Sequence, residues 1–266
     1  MNTINKDTYY RDHWVEVEQE RVDAYQELFK WRPEMDPLLA PADIQEGHIV
    51  VDYGCGPGGL SLELARRVGA GGLVHGIDLN AQFIKLAVQY LAEEGFAERT
   101  QFHHVSDDRI PLPDQSVDRL ICKNVLEYVP DVSATIAEFR RVVKPGGKVH
   151  ILDSDWGMLV VEPLGHEKLA ELFAAAEHAY HTPRIGRILY SEMKKAGYAD
   201  VAVKILASAD TRGRSALVLH NMVNYAKTGG DIDPARADAL YAEIRQSIKE
   251  GTFMMILPQF LVTGQL

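Results

Sequence analysis

The chain has 266 residues, 46% apolar and 25% charged, a balance that excludes disordered, fibrous and membrane-embedded classes and fits a globular protein. Lys and Arg number 28 against 38 Asp and Glu, and the resulting charge of −10 repels polyanions, so no nucleic-acid partner is expected. The two cysteines, Cys55 and Cys122, lack CxxC or zinc spacing, which excludes a disulfide framework.

The opening run MNTINKDTYYRDHW has no apolar h-region, and the expected location is cytoplasmic. Residues 1–40 read as an N-terminal helical lid, in which Tyr10 and Trp14, four apart, share one face. From about residue 48, β-branched runs alternate with helical patterns, which predicts an α/β fold with a parallel sheet covered by helices. The first strand, His48 to Asp52, runs into a glycine-rich turn, and Leu60, Leu64 and Val68 then mark one buried helical stripe. A second strand follows at Leu73 to Asp78. Asn80 is placed to cap a helix that ends at Gly95. Further strands are predicted at Thr100 to His104, Asp118 to Cys122 and Lys148 to Leu152, with a helix over 133–143 that Pro145 and Gly146 stop.

A single domain is expected, with the α/β core at 41–155 and the C-terminal half of the sheet at 156–206. Val201, Val203 and Ile205 alternate as a sixth strand, and the last strand is placed at Phe253 to Thr263. Between them, residues 207–252 read as a helical cap, one helix having Asp233 as N-cap, Pro234 at its first position and Gly251 beyond its end. The late apolar stretch 253–262 is broken by Pro258 and is shorter than the roughly 20 residues that span a bilayer, so no membrane partner is expected.

Gly54-Cys55-Gly56-Pro57-Gly58-Gly59 matches G-x-G-x-x-G between a strand and a helix, with Asp78 roughly 20 residues on, the pattern of an NAD(P)-dependent oxidoreductase. Asp52 speaks against that reading, because a dinucleotide-binding strand finishes with apolar side chains. A carboxylate there needs donors, which the loop N–H groups and a cationic ligand would supply.

Residues 50–58, VVDYGCGPG, resemble the first motif of class I S-adenosylmethionine-dependent methyltransferases. The likeness continues through His75 to Asn80, Ile110 to Asp118, Cys122 to Asp131 and Arg141 to Lys148, and is closest to the small-molecule branch that includes ubiquinone and menaquinone biosynthesis enzymes. It implies a Rossmann-like, doubly wound, mostly parallel seven-stranded sheet with its last strand antiparallel. S-adenosyl-L-methionine is the implied cofactor, and a small molecule methylated at N, O or C is the implied substrate. The implied cofactor site takes in Asp52, Gly54, Cys55 and Gly56, then Asp78 and Leu79 for the ribose, Ser106 or Asp107 for the adenine, and Lys123 and Asn124 at the methionine end. A noncatalytic or cyclase-type S-adenosylmethionine-binding protein remains an alternative on the same fold.

Methyl transfer from a sulfonium is an in-line displacement, and alignment in a dry pocket supplies much of the acceleration. No catalytic signature is therefore demanded. Tyr10, His13, Trp14, Asp155 and His220 are the substrate-side candidates, and no metal site is expected: the His178–His181 pair lacks a third ligand. The assembly is expected to be a monomer or homodimer.

Overall fold

The computed structural model describes residues 4–266. Two lid helices, α1 (Tyr9–Val15) and α2 (Gln19–Leu28), and a single turn, α3 (Asp36–Leu39), precede the first strand, β1 (Ile49–Tyr53). Val50 and Val51 of β1 are both fully buried, as a central parallel strand requires, because helices cover both of its faces. The glycine turn then starts α4 (Gly59–Val68), followed by β2 (Leu73–Asp78), α5 (Ala81–Glu93), β3 (Thr100–His104) and β4 (Val117–Lys123). The Asn80 side chain accepts the Phe83 N–H at 2.9 Å and fixes the start of α5. After α6 (Val132–Val142) come β5 (Val143–Ser154), β6 (Val160–Glu162), α7 (Gly165–Ala176), α8 (Ile185–Lys195) and β7 (Ala199–Leu206). Two helices, α9 (Ala216–Gly229) and α10 (Pro234–Glu250), lead to β8 (Met254–Ile256) and β9 (Gln259–Gln265).

The seven-stranded sheet has the order β3-β2-β1-β4-β5-β9-β7. The first five strands in that order are parallel to one another, and β9 runs antiparallel to both β5 and β7. This is the doubly wound sheet with an antiparallel last strand that the resemblance implied. The strand order reverses between β1 and β4, which opens a crevice at their C-terminal ends.

The run predicted as one last strand, 253–263, is two. Pro258 has no N–H to donate, and the chain changes sheets there: β8 pairs with β6 in a separate ribbon, and β9 enters the main sheet. The expected division at residue 206 also misplaces α7. Leu169, Leu172 and Ala176 of α7 share a core with Leu219 and Val223 of α9 and Leu240 and Ile244 of α10, while α8 packs on the sheet through Leu189 and Met193. The cap therefore begins near Trp156, ahead of the predicted insertion. Among the described residues, no helix is long and apolar enough to cross a membrane.

Candidate active site

A cavity opens at the β1/β4 crevice, lined on the sheet side by Asp52, the glycine turn, Asp78, Lys123 and Asn124 and on the lid side by Arg11, Trp14 and Phe29. Its empty space, with the open solvent at its mouth included, is about 1130 Å³.

Asp52 is 1% exposed at the end of β1, and the Ser61 hydroxyl of α4 donates to its Oδ2 at 2.6 Å. Burial pushes its carboxyl up to about 7, against the opposing pull of Ser61; Asp78 adds to the rise, and Lys123 opposes it. The loop N–H groups are not its donors, contrary to the expectation from sequence. Gly54 and Cys55 N–H both donate to the Ile77 carbonyl oxygen, at 2.8 and 3.0 Å, and Gly56 N–H donates to Asp78 Oδ2 at 2.8 Å. The turn is thus folded onto β2, and its first three amides are already spent.

That arrangement disfavours the dinucleotide reading, since a pyrophosphate needs free amides at the turn and the helix start. The approach to α4 is also covered: a Cβ on Gly59 would lie 2.1 Å from the Phe29 carbonyl oxygen, so the lid backbone crosses the helix start at a distance only glycine permits. Gly54 has φ +74°, and a Cβ there would meet Val125 Cγ2 at 2.2 Å. The β4 loop, more than any ligand, accounts for the glycine at 54.

Asp78, at the end of β2, accepts from Gly56 N–H on one oxygen and from Asn80 N–H on the other, each at 2.8 Å. Burial raises its pKa despite these donors. Each carboxylate oxygen keeps lone-pair capacity, which suits the two hydroxyls of a ribose. Leu79 lies beside it on the cavity wall. Of the two adenine-side alternatives, Asp107 lines the cavity; Ser106 does not, and its carbonyl oxygen accepts from the Arg11 guanidinium at 2.8 Å. Asp108 lines the cavity as well.

At the end of β4, Asn124 adopts φ +55°, an uncommon conformation that its N–H bond to the Leu152 carbonyl oxygen, 2.8 Å, holds in place. Asn124 lines the cavity, and its side-chain Oδ1 is buried without a partner among the described residues. Burial lowers the pKa of Lys123, with Asp153, Asp52 and Glu127 opposing the shift. Asp153 accepts the Leu126 N–H at 3.0 Å and the Ser154 N–H at 2.9 Å, so it shapes the β4 and β5 loops from behind.

The substrate-side candidates separate. Trp14 lines the cavity, its ring 5.1 Å from Tyr128 on the β4 loop, and its carbonyl oxygen accepts from the Asn80 side chain at 2.9 Å. His13 lies behind it, 5% exposed, with ring centroids 4.9 Å from Tyr225 and 5.7 Å from Tyr128. Burial lowers its pKa to about 3, so the ring is neutral at pH 7. Tyr10 meets His181 with ring centroids 4.7 Å apart and the rings tilted by 48°, outside the cavity lining. Asp155 lies outside the cavity lining: its fully buried carboxylate holds Arg187 at 2.5 and 2.8 Å and caps the turn at Gly157. His220 stacks on Tyr241 at 5.0 Å in the α9–α10 contact, away from the cavity. Sequence reasoning missed Arg11, Phe29 and Tyr53. Arg11 was accessible to it, since it stands three residues before Trp14 and so shares its helical face.

The sheet and the crevice together define the class I methyltransferase fold. The methyltransferase domain family matches residues 44–204, and the chain belongs to it. Among curated relatives, the demethylmenaquinone methyltransferase of Lactobacillus johnsonii is 32% identical over 130 residues, covering 49% of this chain and 53% of that protein. The demethylmenaquinone methyltransferase of Geobacillus kaustophilus is 27% identical over 198 residues, 69% of this chain and 83% of the relative. The chain spans little more than half the length of the first of these. Among solved structures, a Haemonchus contortus phosphoethanolamine N-methyltransferase 2 in complex with S-adenosyl-L-methionine has the same fold, with a TM-score of 0.64 at 18% identity over 99% of this chain and 60% of its own.

Proposed function

We propose that the protein transfers the methyl group of S-adenosylmethionine to a nitrogen, oxygen or carbon atom of a small metabolite. The observation that carries this reading is the cavity at the strand crossover, where two carboxylates, the buried Asp52 and the half-buried Asp78, are held by Ser61 and backbone N–H groups and by no basic side chain among the described residues. Such a pair calls for a ligand that brings a cation and a diol. Asp52 would take the ammonium, Asp78 the ribose hydroxyls, Asp107 the adenine side, and Asn124 Oδ1 a remaining donor at the methionine end. When bound, the cofactor supplies an electrophilic methyl on a good leaving group. The chain's part is to align the two reactants and keep water out, which the lid does through Trp14 and Phe29. A cytoplasmic setting accords with both cysteines being free.

Calorimetry tests the reading: S-adenosylhomocysteine is expected to bind at micromolar concentration and NADH not at all. Binding of NADH alone would reverse the assignment. Labelled-methyl turnover over a metabolite panel tests catalysis, and tight cofactor binding with no transfer to any member would favour the noncatalytic or cyclase-type alternative.

A further inference from the structure

Behind the Trp14–Tyr128 wall of the cavity, the lid and the cap meet in an aromatic cluster that contains an unusual number of unpaired polar atoms. Arg21 of α2 sits over three rings, 5.7 Å from Trp14, 5.5 Å from Tyr25 and 5.6 Å from Tyr225. One of its terminal nitrogens donates to the Tyr25 and Tyr225 hydroxyls, at 3.1 and 3.0 Å, and the other reaches the exposed Glu18 at 3.1 Å. Its Nε–H, the Trp14 Nε1–H and His13 Nε2 are buried without a partner among the described residues. His13 Nδ1 faces the Tyr9 carbonyl oxygen, which can only accept. Nδ1 therefore carries the hydrogen, and Nε2 presents a lone pair.

Buried polar atoms are rarely left unpaired, and each carries a desolvation penalty. Three of them in one cluster, beyond the strand ends where an incoming methyl acceptor must approach, form a set: two N–H donors, one of them on a permanently charged guanidinium, and one lone pair. Aromatic walls alone would suit an ammonium group. Here Arg21 already occupies the box as its cation, and a second positive charge is repelled.

We infer that this cluster is the closed form of the acceptor site, and that the acceptor is a small acid presenting a carboxylate or phosphate oxyanion to Arg21 Nε and Trp14 Nε1 and a proton-bearing group to His13 Nε2. Arg21 is then a specificity-determining residue. The inference rests on the methyltransferase reading, because that reading is what brings an acceptor to the β4 and β5 ends. α1 and α2 must swing outward to admit it, since the rings fill the space between them and the cap.

The test uses the full chain saturated with S-adenosylhomocysteine and titrated with benzoate, phenyl phosphate and benzylamine. Millimolar or tighter binding is expected for at least one of the two anions, the stronger of which identifies carboxylate or phosphate, and at least tenfold weaker binding for benzylamine. Arg21→Met is expected to weaken anion binding tenfold or more. Trp14→Phe, which keeps the ring and deletes one donor, is expected to weaken it severalfold, and Arg21→Lys, which keeps the charge and deletes the Nε donor, to fall between. Far-UV circular dichroism and a cooperative melting transition report that each variant folds, and if Arg21→Met does not fold, the other two carry the test. Preference for benzylamine, anion binding unchanged in the variants, or no binding of any probe to the loaded protein overturns the inference. Failure of S-adenosylhomocysteine itself to bind, seen before any probe is added, instead overturns the methyltransferase reading and removes the inference's basis with it.

Discussion

At the scale of single residues, the two carboxylates make opposite demands. Asp78 gains from a diol, and Asp78→Ala is expected to weaken S-adenosylhomocysteine binding by about 1.5–3 kcal/mol, the range for hydrogen bonds to a charged group. Calorimetry reads this directly, and unchanged affinity in a folded variant refutes ribose binding. Asp52 is held near 7 by burial, above the roughly 3.9 of an unfolded chain. Between about pH 4 and 7 the unfolded state therefore releases its proton first, and stability from this group falls as pH rises. Asp52→Asn does not ionise, so its stability relative to the parent should grow across that window, by at most about 4 kcal/mol. Urea midpoints at pH 4.5 and 7.5 check the sign. A bound ammonium reverses the preference, so S-adenosylhomocysteine affinity in the parent should rise over the same interval and be flat in the variant. Asp52 and Asp78 were legible in the sequence because an acid at a strand end is conspicuous where apolar residues are the rule. The destination of the loop amides was not: that Gly54 and Cys55 donate to Ile77 depends on how tightly the turn closes on β2, a tertiary fact without a local pattern.

Among elements, the lid depends on a single close approach. Gly59→Ala puts a methyl group where the Phe29 carbonyl oxygen lies 2.1 Å away, backbone that yields only if the segment lifts. The variant is expected to lose about 1–3 kcal/mol, as overpacked sites do, and to lose turnover disproportionately because α2 feeds directly into Phe29. Comparing the shift in melting temperature with kcat separates the two effects, and equal losses would make the lid an ordinary part of the core. Removing lid residues 1–15 is a blunter test of the same idea. It should also loosen the cap, because His13 packs on Tyr225. Arg187→Ala tests whether Asp155 acts in the fold and not in the site: with its partner gone, the buried carboxylate should cost about 2–3 kcal/mol of stability while cofactor affinity is unchanged. A change in affinity without a change in stability would return Asp155 to the site. The alternating strands and their helices were readable from periodicity and caps such as Asn80. The break at Pro258 was visible in the sequence, and what it separates was not, because β8 and β9 differ only in which strand they pair with.

The whole molecule rests on a sheet with an apolar core on each face and on a separate core in the cap, joined over the cavity by the lid. Leu172 is fully buried where α7, α9 and α10 meet, and Leu172→Ala is expected to cost about 2–5 kcal/mol in urea unfolding. A loss below about 1 kcal/mol would show the cap core to be loosely packed. The helices of this core were recognisable individually from their apolar stripes. Their grouping was hidden, because α7 is separated from α9 in the chain by a helix and a strand that belong to the sheet. The same non-local wiring constrains how the protein is made. In the finished sheet, β7 is bonded to β9 alone, and β9 is bonded to β5 on its other side. Residues 199–206 thus leave the ribosome with no strand to join and wait through roughly 50 more residues, a few seconds at ordinary elongation rates. Throughout that interval β5 also shows a raw edge, the kind of surface that invites pairing with a neighbouring nascent chain. Val203 and Ile205, still half exposed in the finished fold, are then fully open to water, which marks this corner as the place where synthesis is most vulnerable to aggregation and most in need of chaperone cover.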